Sequence, residues 1–150
     1  MQEITFRKAN ENDLEAIVNL LADDEFGQER EVGDNLAPYV KAYHLIDQDS
    51  NQLLMPASHK HNIIGTVHLT IMPSLTFSGS IRLNIEAVRV SPSYQGQGVG
   101  AKMIHEAIEW GQEKGATIIQ LTTNKQRNRA KEFCETLGFQ ASHEGMKLYL

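Results

Sequence analysis

A single cysteine, Cys134, among 150 residues has no partner for an internal disulfide and no second thiolate for a cysteine-based metal site. Disulfide scaffolds and zinc modules are thereby excluded. No apolar run approaches the roughly 20 residues that a spanning helix needs, which excludes a helical membrane protein. Positive charge is also short: 14 Lys+Arg stand against 19 Asp+Glu, a formal net charge of −5, with no Lys/Arg stripe. Such a chain is repelled by phosphate polymers, so a dedicated DNA or RNA binder is not expected, although a local basic site for a small anion remains open. Met1 to Arg7 lacks the basic segment leading into an apolar stretch that marks a secretory signal, which points to the cytoplasm. Without internal repeats or low-complexity linkers, residues 1–150 are expected to form one domain.

What is present is periodic. Ile4 and Phe6 share a strand parity, and the cap-like run Asn10-Glu11-Asn12-Asp13 precedes Leu14, Ile17, Val18 and Leu21, which are spaced for one face of a helix. Residues 23–35 are acidic and nonperiodic, and a second helix is expected from about Leu36 to Ile46. Leu53–Ala57 and Ile63–Met72 read as strands joined by a turn at His59-Lys60-His61-Asn62, and Ser78-Gly79 turns into a third strand, Ile81–Val90. In that strand Ile81, Leu83 and Ile85 are odd while Val88 and Val90 are even. This slip in a period-two pattern predicts a β-bulge near Glu86–Val88, with a strand covered on both faces as the plainer alternative. Gly98–Lys114 is the clearest amphipathic helix, Thr117–Leu121 a short strand, and Ala130, Phe133, Cys134 and Leu137 mark a last helix capped by Gly138. Phe139–Ser142 and Met146–Leu150 complete the expected strands, in the order β-α-α-β-β-β-α-β-α-β-β.

The sharpest local signal is Ser91-Pro92-Ser93-Tyr94-Gln95-Gly96-Gln97-Gly98-Val99-Gly100-Ala101, a glycine-rich turn between a strand and a helix. Glycines let a ligand approach the backbone, and the unpaired N–H groups of a helix start attract phosphate. The triphosphate loop Gly-x-x-x-x-Gly-Lys-Ser/Thr does not fit, because Lys102 is followed by Met103 and the spacing is wrong. Gly96, Gly98 and Ala101 satisfy the degenerate dinucleotide pattern, but Thr117–Leu121 carries no acid for a ribose and the loop lies too late for two mononucleotide-binding halves.

Gln95-x-x-Gly98-x-Gly100 after the strand Ile85-Glu86-Ala87-Val88-Arg89-Val90 resembles the acyl-CoA pyrophosphate loop of the GNAT N-acyltransferases. Ala130-x-x-Phe133-Cys134-Glu135-x-Leu137-Gly138-Phe139 is similar to that family's second signature, and the element order agrees across nearly the whole chain. The resemblance implies an α/β (α+β) GNAT-like fold. Its central mixed, mostly antiparallel sheet would have a splayed parallel pair, Ile81–Val90 and Thr117–Leu121, and helices on both faces. It implies that the N–H groups of Gln95, Gly96, Gln97, Gly98, Val99, Gly100 and Ala101 bind the pyrophosphate of acetyl-CoA, and that Val88 and Val90 pair through their backbone with the pantetheine arm. Ala130 and Phe133 belong to the cofactor side. Where the family often has an asparagine this chain has Arg127, leaving Asn124 or Arg127 to contact CoA; where it often has a tyrosine acid, this chain has Cys134.

Acyl transfer to an amine needs a neutral amine, a stabilised oxyanion and a departing thiolate. The resemblance puts Glu86 at the usual general-base position; the alternative is a carboxylate paired with Arg82, Arg89 or another cation. The Val88 N–H is the candidate oxyanion donor. A thiol with a reference pKa of about 8.5 leaves without much help near neutral pH, so Cys134 is either a proton donor or, by its helix stripe, a core thiol. The resemblance puts His143 at a cleft lip near the substrate; the alternative is a plain turn histidine. His59 and His61 sit in a turn without a carboxylate partner, and no metal site is expected. Asp23, Asp24, Glu25, Glu29 and Glu31 would attract a cationic amine or simply form a solvated loop. The expected protein is an acetyl-CoA-dependent N-acetyltransferase acting on the primary amine of a small molecule. A protein N-terminus or lysine is the alternative acceptor, a non-catalytic acyl-CoA sensor or a dinucleotide oxidoreductase the alternative class, and a homodimer through exposed edge strands the alternative assembly.

Overall fold

The computed structural model describes residues 3–23 and 35–150. Asp24, Glu25, Glu29 and Glu31 of the expected acidic lip lie outside the described residues. Met1–Gln120 and Leu121–Leu150 form two compact units, taken in turn below.

In the first unit, β1 (Thr5–Phe6) leads through a single 3-10 turn (Glu11–Asp13) into α1 (Leu14–Ala22). The helix start is held from two sides. Asn10 Oδ1 accepts from Asn12 N, and Asp13 Oδ2 accepts from Asn10 N at 2.8 Å, a reciprocal capping box. Arg7 grips the same carboxylate with both guanidinium nitrogens, at 2.6 and 2.9 Å. These bonds hold the Asp13 carboxyl below its usual value, the hydrogen bond from Arg7 being the largest cause. Leu14, Ile17 and Val18 form the buried stripe read from the sequence. Helix α2 (Ala37–Asp47) follows, with Pro38 in its first turn where no N–H is needed.

Three long or medium strands come next: β2 (Gln52–His59), β3 (Asn62–Pro73) and β4 (Ile81–Val90). The hairpin turn falls on Lys60 and His61, both left-handed, as a tight two-residue connection requires. Pro56 fits inside β2 because its missing donor would point to the β1 side, where Leu54 O receives Ala9 N and β1 itself pairs only with Ser58 and Ala57. The strand order is β1-β2-β3-β4-β5, with β1/β2, β2/β3 and β3/β4 antiparallel. Helix α3 (Val99–Glu113) makes the crossover from β4 to β5 (Ala116–Leu121), the connection that a parallel neighbour demands and that makes the sheet mixed.

Helices α1 and α3 both pack on β3 and β4, where Ile64, Gly65, Thr66 and Val67 are buried in succession, so both faces of β3 are covered there. Two glycines allow α3 to lie close. A Cβ on Gly65 would stand 2.9 Å from Met103 Sδ, and one on Gly111 would stand 2.8 Å from Leu83 Cδ2. The core centres on Val67, Leu69, Leu83, Ile85, Met103 and Ala107. No helix among the described residues is long and apolar enough to cross a membrane.

In the second unit, α4 (Asn128–Thr136) ends as the sequence predicts. Gly138 is left-handed, its N–H bonds Glu135 O, and Phe139 N bonds Cys134 O, which is a Schellman closure. The strands expected at Phe139–Ser142 and Met146–Leu150 are not formed. Gly145 is not left-handed as a tight hairpin would require, and Met146 and Leu148 stay 93% and 86% exposed. Alternation there marks side chains suited to burial, but a strand exists only where a neighbouring backbone completes its ladder.

Replacing Asp13 by alanine removes the bidentate acceptor and the box together, and is expected to cost about 2 kcal/mol in denaturant unfolding. Because the folded-state pKa is depressed, this contribution is full above pH 3.8, the ordinary value, and is lost as pH falls through the lower folded value. The wild-type and variant stabilities should therefore converge in acid.

Candidate active site

Strand β4 carries the expected bulge. Thr66 opposes Arg89 and His68 opposes Glu86, so two steps on β3 match three on β4, and Ala87 takes the left-handed φ of 54° that the extra residue requires. Before the bulge, Leu83 and Ile85 point into the core under α3. Asn84 and Glu86 therefore face the other way, and the Glu86 side chain remains 53% exposed.

Glu86 does not stand alone on that face. Asn84 Nδ2 donates to its Oε1 at 3.5 Å, and His68 Nδ1 lies 3.8 Å from the same oxygen. His68 Nε2 contacts Gln52 Oε1 at 2.7 Å, Gln52 Nε2 donates to Asp49 at 3.0 Å, and Gln120 Nε2 donates to Asn84 Oδ1 at 3.5 Å. A polar track thus crosses from β2 to β5. The alternative arginine partners are engaged elsewhere: Arg82 bonds Thr76 Oγ1 and Arg89 Nη1 bonds Val88 O. Burial pushes the His68 pKa below its usual 6.5, against the opposing pull of the Glu86 charge.

Beyond β4, a 3-10 turn at Pro92–Tyr94 leads into the glycine loop. Gly96 and Gly98 have φ of 75° and 83°, conformations that a side chain would strain, and Gly98 caps α3. Among the described residues no side chain caps that helix start, and no acid sits in its first turn, the electrostatic setting in which helix N–H groups accept an anion. The loop is braced by its own glutamines, with Gln95 Nε2 donating to Val90 O and Gln97 Nε2 to Ser93 O, each at 3.0 Å. A 2.9 Å hydrogen bond between His59 Nδ1 and Tyr94 Oη ties it to the β2–β3 hairpin. Alongside opens a cavity of about 1200 Å³, lined by Gln97, Gly98, Lys102, Lys60, His61 and Arg7 among others. Neither Glu86 nor His68 lines it, so it opens beside the glycine turn and apart from the carboxylate.

The Acetyltransferase (GNAT) family pattern matches residues 14–139, most of the chain. The chain belongs to the GNAT acetyltransferase family. It is 43% identical to a transcriptional regulator from Bacillus halodurans C-125, whose crystal structure it matches with a TM-score of 0.95 over 99% of this chain and 100% of that one. It is 35% identical over 88 residues to a glucosamine 6-phosphate N-acetyltransferase from Trypanosoma brucei brucei, a match spanning 59% of this chain and 58% of that protein. The fold is also similar to that of glucosamine-6-phosphate N-acetyltransferase from Arabidopsis thaliana, with a TM-score of 0.81 at 18% identity over 99% of each chain.

The first unit of this acetyltransferase brings together Glu86, Val88, Val90 and residues 95–101 along β4 and its following turn. The other sequence-predicted site residues lie in the second unit. Asn124 Oδ1 is used locally, accepting from Gln126 N at 2.9 Å, and Arg127 precedes α4, on which Ala130 and Phe133 are half-buried. Cys134 is buried, which raises its thiol pKa. His143 is exposed and bonds Ser142 Oγ at 2.6 Å. Among the described residues no group of three or more His, Cys, Asp and Glu is arranged for a metal ion. His68 and Tyr94 were missed in the sequence, where each reads as one more residue of a strand or a turn; only the β3/β4 register and the fold of the hairpin reveal them.

Gly98→Ala meets nothing within 4 Å, so its expected cost is backbone strain alone, about 1–2 kcal/mol. Gly111→Ala drives a methyl into Leu83 and should cost about as much through overpacking. Chemical denaturation of the two variants, with pyrophosphate binding measured beside it, separates the cases: Gly98→Ala should weaken the anion, and Gly111→Ala should not.

Proposed function

We propose that this protein transfers the acetyl group of acetyl-CoA to the primary amine of a small molecule by direct attack of the amine on the thioester. The observation that carries the reading is the layout of β4. Beside its bulge stands a carboxylate with no arginine partner among the described residues, and the strand then leads through a short turn into a glycine-lined helix start that no side chain caps. The anion end suits a pyrophosphate, with Lys60 and Lys102 bordering the same cavity. Acetyl-CoA supplies the activated acyl group and a thiolate that leaves readily.

In this reading the N–H groups of residues 95–101 hold the pyrophosphate, Val88 and Val90 pair with the pantetheine arm, and Asn124, Arg127, Ala130 and Phe133 border the cofactor. The carbonyls of Val88 and Val90 already receive Arg89 and Gln95, so pairing shares or replaces those bonds. Glu86 takes one proton from the ammonium, directly or through a water, leaving a neutral nucleophile. The Val88 N–H stabilises the oxyanion. As the nitrogen–carbon bond forms and the carbon–sulfur bond breaks, the second amine proton passes to the thiolate, and the one proton on Glu86 returns to solvent. His143 borders the acceptor, and Cys134 serves as a packing thiol, since burial favours its neutral form. Similarity to glucosamine 6-phosphate N-acetyltransferases favours a small amine over a protein acceptor and puts a phosphorylated amino sugar first among candidates.

With acetyl-CoA and a panel of amino sugars, polyamines, amino acids, aminoglycosides and lysine peptides, thiol release and product mass should identify a small-molecule acceptor. Glu86→Gln should then lower kcat/KM for that amine by about 100-fold or more while leaving acetyl-CoA affinity within about twofold. Undiminished turnover would remove Glu86 from the chemistry, and acetyl-CoA binding without release for any amine would favour a sensor.

A further inference from the structure

The direction of every hydrogen bond in the polar track can be worked out from its two ends. Asp49 can only accept, and the bonds from Gln52 and Asn51 hold its carboxyl below the usual range, so Gln52 points its amide nitrogen at Asp49 and its carbonyl at His68. A carbonyl can only accept. His68 therefore carries its hydrogen on Nε2, and in the neutral ring Nδ1 is a bare lone pair. From the other end, Gln120 donates to Asn84 Oδ1, and Asn84 donates onward to Glu86 Oε1. Glu86 Oε1 and His68 Nδ1 are thus two acceptors facing each other at 3.8 Å with no hydrogen between them.

We propose that His68 is a positioning residue that shares with Glu86 the proton taken from the substrate ammonium. The inference rests on Glu86 being the base, and it adds the side chain whose lone pair faces that carboxylate at 3.8 Å. One proton satisfies both facing lone pairs, so Oε1 and Nδ1 can hold it between them once the ammonium has released it. The His68 side chain is only 19% exposed, which keeps the ring neutral and its Nδ1 open before the amine arrives. Among the described residues, Glu86 is the one charged group whose field acts on it. The step balances: the N–H bond of the ammonium breaks, the proton lies between Oε1 and Nδ1, and it returns to solvent after the amide has formed.

The test combines kinetics with histidine NMR on the intact protein. In the wild type, long-range nitrogen–proton spectra should show the Nε2–H tautomer for His68, and Glu86→Gln should shift the His68 titration further down, because a charge that raises its pKa has gone. His68→Gln keeps a donor for Gln52 but cannot take a proton. It should lower kcat/KM for the amine by about tenfold and move the acid limb of the pH profile to lower pH, leaving the acetyl-CoA KM unchanged. A merely structural role would lower the plateau without moving that limb. An Nδ1–H tautomer in the wild type, or an unmoved acid limb in His68→Gln, overturns the proposal even if Glu86→Gln is inactive. An active Glu86→Gln instead overturns the assignment of Glu86 on which it rests.

Discussion

One extra residue in β4 governs the arrangement of this site. Were β4 regular from Ile81 to Val90, side chains would alternate without a break, and the faces chosen by Leu83 and Ile85 would also be imposed on everything up to the glycine loop. Ala87 accepts a left-handed conformation that costs a non-glycine residue on the order of 1 kcal/mol, and the register against β3 slips by one. Up to Glu86 the strand alternates, burying leucine and isoleucine under α3 and turning the carboxylate to the opposite face, and past the bulge it delivers Val90 in register with Gly65.

The strand also joins the two ends of the proposed site. The turn that follows it is open in the way an anion site must be, with left-handed glycines and an uncapped helix, yet it is not loose. Gln95, Gln97 and Tyr94 are each bonded to neighbouring backbone or to His59, so the N–H groups are held in place before any ligand arrives. Preorganisation of this kind avoids an ordering cost at the moment of binding. Helix α3 is fixed in turn by its close contact with β3 and β4 at Gly65 and Gly111, so the position of the anion end follows from core packing.

The polar track gives the carboxylate a defined electrostatic setting. A half-exposed glutamate among arginines would be a solvated ion pair of little consequence. Flanked by an amide donor and a half-buried imidazole, with the arginines bound elsewhere, Glu86 is placed to exchange a proton. The half-buried His68 ring is oriented from behind by Gln52 and Asp49, residues with no catalytic signature of their own.

Much of this was legible in the residues taken alone, because local physics is written in local patterns. The parity slip announced the bulge, the three- and four-residue spacing announced α1 and α3, Gly138 announced the end of α4, and the alternating glycines announced the left-handed turn before α3. What stayed hidden depends on chain segments that meet only in three dimensions. The pairing of His68 with Glu86 follows from the β3/β4 register, and Gln52 joins them only because β2 lies alongside. Phe139–Ser142 and Met146–Leu150 show the opposite failure, since their alternation resembles a strand while the ladder that would make them one is missing. Sequence by itself determined most of the helices, the long strands and where β4 breaks step, because those depend on local spacing. Tertiary structure alone decided which side chains face one another across the sheet, because a hydrogen bond or a shared proton depends on distance in space and not on separation along the chain.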